Sequence, residues 1–154
     1  FLTGDDAVAI KSGRNKEGND LDKPSAYIRI TDCVSDGSKG GFVAGSENAS
    51  GLRDSLFQNL TVKNIILSHS VWLKTYWSRG GLSENLLFRD IDSSKRIDVA
   101  ANYATSENNP ADELPVYRYM TTERILKYGT VMSQNGISQT VTISCSNIQI
   151  RMKA

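Results

Sequence analysis

The chain is short of several things, and each shortage excludes a class of protein. Two cysteines, Cys33 and Cys145, among 154 residues are too few for a disulfide framework or for a zinc site, which wants four clustered ligands. The longest unbroken apolar run is four residues, Ala7 to Ile10, so nothing in the sequence reads as a membrane span. An excess of either charge is also lacking. The 18 Lys and Arg face 17 Asp and Glu for a net +1, without a basic stripe, which argues against a nucleic-acid footprint. Balanced charge with 39% hydrophobic residues is not the composition of a disordered chain. There is no nucleotide-binding loop, metal cluster or serine elbow. Both cysteines fall in strand-like segments (28–33 and 141–145), where a buried thiol is expected. The chain begins at Phe1 rather than Met, without a signal peptide, and is expected to be a piece of something longer.

What is present is repetition. The pattern apolar-x-apolar-x-polar-apolar occurs at Ile28-x-Ile30-x-Asp32-Cys33, Leu60-x-Val62-x-Asn64-Ile65 and Leu86-x-Phe88-x-Asp90-Ile91. Weaker copies start at Met120 and Val141, so the spacings are 32, 26, 34 and 21. Alternation of period two over so few residues means short strands with one buried face. A second short strand follows most copies, at Gly41–Ala44, Val71–Lys74, Ile97–Val99 and Thr130–Met132. No clear helical stretch lies between them, so the usual helical crossover of a parallel sheet is absent. Hairpin dipeptides occur only at Asp36-Gly37 and Asn135-Gly136, too few for an antiparallel meander. The remaining solution is a solenoid of stacked β-coils, about six in this length at ~20–35 residues each. Asp32, Asn64 and Asp90 suit tight corners, because Asp and Asn tolerate left-handed backbone best among non-glycines. The segments Gly13 to Lys23, Ser46 to Arg53 and Asn102 to Pro115 are expected as surface loops along one side.

Four motifs then give the repeat a family. Gly4-Asp5-Asp6-Ala-Val-Ala-Ile-Lys11-Ser-Gly13 resembles the Gly-Asp-Asp motif of glycoside hydrolase family 28, the polygalacturonases, in its bacterial branch. Lys39-Gly-Gly-Phe-Val-Ala-Gly-Ser-Glu47 is similar to that family's Gly-His-Gly-Gly-x-x-x-Gly-Ser-Glu. Trp72-Leu-Lys74-Thr followed by Arg79-Gly-Gly81 is similar to its Arg-Ile-Lys-Thr and Arg-Gly-Gly, and Asn109 to Pro115 resembles its acidic, proline-bearing loop. The resemblance covers nearly all of residues 1–154. It implies a right-handed parallel β-helix, a single segment of a longer catalytic domain, cut at its N-terminal end. The family's Asn-Thr-Asp motif lies upstream and is not in this chain. Lys39 stands where the family has its active-site histidine, and Trp72 where it has the arginine of Arg-Ile-Lys.

Inverting hydrolysis of a glycosidic bond needs one carboxylic acid to protonate the leaving oxygen and a carboxylate to activate water on the opposite face. The resemblance makes Asp5 the acid and Asp6 one of two bases, the other being the upstream aspartate. An Asp-Asp pair by itself is more often a solvated turn; the flanking motif carries the assignment. Lys39 and Lys74 lie about one and two coils beyond the pair, hence on the same side of the rod. A lysine ammonium is a natural partner for a uronate carboxylate; Lys74 takes that role by resemblance, and Lys39 adds positive charge but is no proton shuttle near neutral pH. Trp72 with Tyr76 and Trp77 is either an aromatic platform for a sugar face or local packing. His69 without a named partner is read as structural, and the glycosylation patterns at Asn48 and Asn59 as incidental. The function implied is hydrolysis of pectic or related acidic polysaccharide, without a cofactor, by a secreted or periplasmic protein. A non-catalytic carbohydrate-binding β-helix that has lost part of the site is the alternative, and a purely structural coil segment is a third.

Overall fold

Alternating side chains need two partners, a core on one side and water on the other, and the chain meets that need by winding. The computed structural model describes residues 1–67, 69–93, 95–101, 103 and 109–126, and the backbone of the strands at 130–134, 137–141 and 148–150. In chain order the elements are β1 (Asp6–Ile10), α1 (Asn15–Leu21), β2 (Ser25–Ala26), β3 (Arg29–Asp36), β4 (Gly40–Ala44), β5 (Leu52–Lys63), β6 (His69–Lys74), β7 (Leu82–Ser93), β8 (Arg96–Ala100), β9 (Val116–Leu126), β10 (Thr130–Gln134), β11 (Ile137–Val141) and β12 (Ile148–Ile150). One sheet runs β1-β4-β6-β8-β10-β11; the other runs β2-β5-β7-β9-β12, with β3 also on β5. From β3 to β10 successive strands alternate between the sheets, and the pairings from β1 to β10 and from β2 to β9 are parallel. This is a parallel β-helix.

The core is built from like residues stacked coil upon coil. Val8, Phe42, Val71 and Ile97 share one register, and Ile10, Ala44, Leu73 and Val99 the next inward one. Across from them Phe57 and Phe88 stack at 5.0 Å between ring centroids, both at most 1% exposed. Burying such side chains stabilises the rod by roughly 1.5–3 kcal/mol each.

Two ladders of left-handed, non-glycine residues bend each long strand. Tyr27, Asp54, Asn85 and Tyr119 form the first and Asp32, Asn59, Asp90 and Arg124 the second, with φ between 48° and 59°. Side chains tie rungs together: Asn59 donates to Asp32 at 2.6 Å and Asn85 to Asp54 at 2.9 Å, and Arg124 pairs with Asp90. Asp32, Asn64 and Asp90 are all left-handed, as their composition predicts. The register of the second repeat copy is corrected, however. Leu60 pairs with Cys33, not Ile28, so the copy aligned with Ile28 begins at Ser55, and Asn59 is the rung above Asp32. Rungs are therefore 27, 31 and 34 residues apart.

Four other expectations change. The rod has about four turns rather than six, because each coil consumes about 30 residues and because β11 and β12 fold back antiparallel on β10 and β9 instead of adding coils. The hairpin dipeptide Asn135-Gly136 lies outside the described residues. The Val141 copy begins where antiparallel β11 ends, and the rest of it, with Cys145, lies outside the described residues. Gly13 to Lys23 is no plain loop but carries α1, against which Ser46 to Arg53 is packed: Asn48, Ala49 and Ser50 are buried. Asn48 accepts from Ser12 Oγ at 2.7 Å and donates to Ser83 Oγ at 3.3 Å, while Asn19 of α1 donates to the Ala49 carbonyl at 3.1 Å. That strip is an internal polar ladder because its polar groups find partners on the coils above and below. Cys33 is only half-buried, since it belongs to the first coil and has core on one side. Of the stretch from Asn102 to Pro115, positions 102 and 104–108 lie outside the described residues; the remainder docks on α1 through Lys16–Asp112 at 2.6 Å.

Candidate functional site

Asp5, Asp6, Lys39, Trp72 and Lys74 line a single groove of about 490 Å³, together with Ala9, Lys11, Ser46, Leu67 and Tyr103. Each comes from a strand of the first sheet or the residues beside it. Alternation along β1 puts Val8 and Ile10 in the core and leaves Ala9 and Lys11 on the outer face. Asp6 pairs in register with Gly40, so Asp5 stands beside Lys39 one coil away. Lys74 ends β6 two residues after Trp72, so the two share the outer face.

The ion pairs across the groove differ sharply in enclosure. Lys74 Nζ lies 3.2 Å from Asp6 Oδ2, and both side chains are 10% exposed. Lys39 Nζ is 3.9 Å from Asp5 Oδ1, with the two side chains 49% and 81% exposed. Lys11 Nζ is 3.2 Å from Glu47 Oε2, at 46% and 41%. Lys74 belongs to coil three and Asp6 to coil one, and a glycine of coil two lies against each. A Cβ on Gly40 would stand 2.2 Å from Asp6 Oδ1, and one on Gly45 would stand 1.7 Å from the Lys74 carbonyl oxygen. Gly40 and Gly45 of the Lys39–Glu47 motif thus leave room for Asp6 and for Lys74. Asp6 Oδ1 is buried with no hydrogen-bond partner among the described residues.

The aromatic side of the groove is arranged differently from the sequence reading. Trp72 does not join Tyr76 and Trp77, which contact each other at 5.4 Å. Its ring stacks on His69 at 4.0 Å and meets Tyr103 edge-on at 5.7 Å. The Lys74 ammonium sits 4.7 Å from the Trp72 centroid and 5.2 Å from that of Tyr103, within cation–π range. Trp72 therefore holds Lys74 more than it offers a bare platform. His69 has named partners: Asp98 Oδ2 lies 3.0 Å from its Nδ1, and Arg96 bonds the same aspartate at 3.2 Å. It is buried behind Trp72, consistent with a structural role.

Sequence reasoning missed Lys11, Glu47, Tyr103 and Arg79 as parts of this region. Alternation along β1 could have found Lys11. Tyr103 follows β8 in irregular chain and carries no periodic signal. Arg79, 2% exposed, donates to the Ser46 carbonyl and so anchors the strip that carries Glu47. No cluster of metal-ligating side chains occurs among the described residues.

An acid pair and three lysines thus share one groove on a parallel β-helix. The fold is polygalacturonase-like: the chain superimposes on a hyperthermoactive exopolygalacturonase from Thermotoga maritima with a TM-score of 0.56 and 22% identity. The match covers 97% of this chain and 44% of that one, so this chain spans less than half the length of that enzyme. No family model matches the sequence, and no curated protein matches it. No helix among the described residues is long and apolar enough to cross a membrane.

Proposed function

We propose that the chain is a segment of a polygalacturonase-type glycoside hydrolase, secreted or periplasmic, that hydrolyses pectic or related acidic polysaccharide by an inverting acid–base mechanism. The observation that carries this reading is the meeting of Asp5, Asp6, Lys39 and Lys74 from three consecutive coils in one groove. Inversion requires an acid and a base on opposite faces of the sugar. Asp5 is the more exposed carboxyl, positioned at the groove mouth to protonate the leaving oxygen. Asp6 is held by Lys74 in a fixed orientation, as a group that directs water must be. A second base belongs to a coil preceding this segment in the longer protein. Lys39 supplies positive charge for uronate carboxylates, while Trp72 and Tyr103 fix Lys74.

A binding-only β-helix is the second reading. It is favoured by the absence of histidine from the groove lining among the described residues. Release of reducing ends from polygalacturonate, against a neutral polysaccharide control, separates the two when the longer protein is assayed. Release from polygalacturonate alone is the expected result. Binding without release from any pectic substrate supports the second reading instead.

A further inference from the structure

Three ammonium groups line the groove and three carboxylates match them: Lys74 with Asp6, Lys39 with Asp5, and Lys11 with Glu47, which lies outside the lining. Their net charge cancels, so an anionic ligand gains a cation only by taking it from an internal partner. The pairs differ in how readily they exchange. Opening Lys74–Asp6 would leave a buried carboxylate without its counter-ion, which is strongly unfavourable. Lys11–Glu47 is close, at 3.2 Å, but nearly half-exposed on both sides. Water screens such a pair, and its net stabilisation is small.

The backbones beneath Lys11 and Glu47 are nonetheless well fixed. Ser12 N donates to the Glu47 carbonyl at 3.0 Å, Gly45 N donates to the Ile10 carbonyl at 2.9 Å, and the Arg79 guanidinium donates to the Ser46 carbonyl. Two charged tips therefore face each other from anchored strips, able to separate without disturbing the coils. Lys11 also lines the groove itself, alongside Lys39.

We propose that Lys11 is a carboxylate-binding residue of this groove and that Glu47 is the internal carboxylate occupying it when no ligand is bound. The ligand class is a uronate oligosaccharide; the inference rests on the acidic-polysaccharide reading above and adds a specificity residue to it. A ligand carboxylate displaces Glu47 from Lys11, exchanging one exposed ion pair for another. A methyl-esterified uronate has no charge to offer and leaves Lys11–Glu47 closed. Glu47 thus acts as a competitor, so its removal strengthens binding, a sign opposite to that expected of an ordinary structural ion pair.

The test is calorimetric titration of the chain with trigalacturonate and with its fully methyl-esterified counterpart, at low ionic strength because salt screens exposed charges. Glu47→Gln should bind trigalacturonate about threefold more tightly than the unsubstituted chain, in line with the small energy of an exposed pair. Lys11→Met should bind it about threefold more weakly, Lys11→Arg should restore the affinity, and the ester should respond to none of the three. Binding of trigalacturonate by the unsubstituted chain, with affinity unchanged or weakened in Glu47→Gln, overturns the competitor role while leaving the acidic-polysaccharide reading intact. Unaltered affinity in Lys11→Met overturns the Lys11 assignment in the same way. No binding of trigalacturonate by the unsubstituted chain overturns both.

Discussion

Lys74 and Asp6 are 68 positions apart in sequence, yet their side chains meet at 3.2 Å across an intervening coil. Gly40 and Gly45 of coil two leave room for the pair, because a Cβ on the first would meet Asp6 and one on the second Lys74. The pair couples the first and third coils of the rod and fixes one carboxylate of the groove.

Removing one partner should therefore cost stability as well as function. Lys74→Met leaves Asp6 buried and uncompensated, a loss of about 3–5 kcal/mol for a pair of this enclosure. For a chain of this size that lowers Tm by roughly 6–20 °C. The double variant Asp6→Asn/Lys74→Met should recover a large part of the loss, because the stranded charge is gone. Equal Tm in single and double variants would show that the two side chains are not coupled.

Gly40→Ala tests the gap directly. Its Cβ would stand 2.2 Å from Asp6 Oδ1, so Asp6 must move. A displacement near 1 Å costs up to about 10²-fold in rate when the moved group acts on the substrate. Hydrolysis measured in the longer protein should fall on that order, with thermal unfolding confirming that the rod persists. An unchanged rate would remove Asp6 from the reaction.

The left-handed ladders make a prediction about backbone. Asp90 has φ 54°, so Asp90→Val places a β-branched residue where it costs at least ~1–2 kcal/mol. Asp90→Gly loses the same Arg124 contact but has no Cβ strain. Chemical denaturation should find the valine variant less stable than the glycine variant; the reverse order would contradict the stacking of corners described here.

Acid should weaken the same corners. A hydrogen bond from Asn59 holds the Asp32 carboxyl below its ordinary range, one from Asn64 does the same for Asp36, and Arg124 does so for Asp90. A carboxylate with a folded-state value below its unfolded one stabilises the fold at pH values above the unfolded value. That contribution is lost as pH falls through the folded value. Tm should thus hold steady from neutrality to about pH 5 and decline below about pH 4. Replacing Asp32, Asp36 and Asp90 together by Asn should flatten part of that decline, and an identical acid profile would exclude these corners as its source.

Much of the rod was legible in the sequence because a solenoid repeats its chemistry at every turn. Alternation marked the inward residues Phe42, Val71 and Ile97, and Asp or Asn marked the corners at 32, 64 and 90. The register of the second coil was not, because β5 carries the apolar alternation Leu60-x-Val62 beside the in-register Ser55-x-Phe57, whose first position is polar, and only pairing with neighbours chooses between them. The burial of Asn48 was equally hidden: a polar residue near a glycine reads as a loop unless its partners Ser12 and Ser83 are known to lie directly above and below. At the site, motif spacing brought Asp5, Asp6, Lys39 and Lys74 to one face, since coil length sets that spacing. Trp72's partners His69 and Tyr103 depended on side-chain direction and on irregular chain after β8, which spacing does not encode.

The central claim is that Asp5 acts as the acid in this groove, and the most direct measurement compares turnover with binding in Asp5→Asn. Asp5 is 81% exposed and loosely paired with Lys39, so its amide should leave the fold unchanged and, by releasing Lys39, should not weaken the affinity for trigalacturonate. Hydrolysis of polygalacturonate by the longer protein should nevertheless fall by about 10²–10⁴-fold, the loss typical of a missing general acid. Full turnover by Asp5→Asn, with binding intact, would contradict the account.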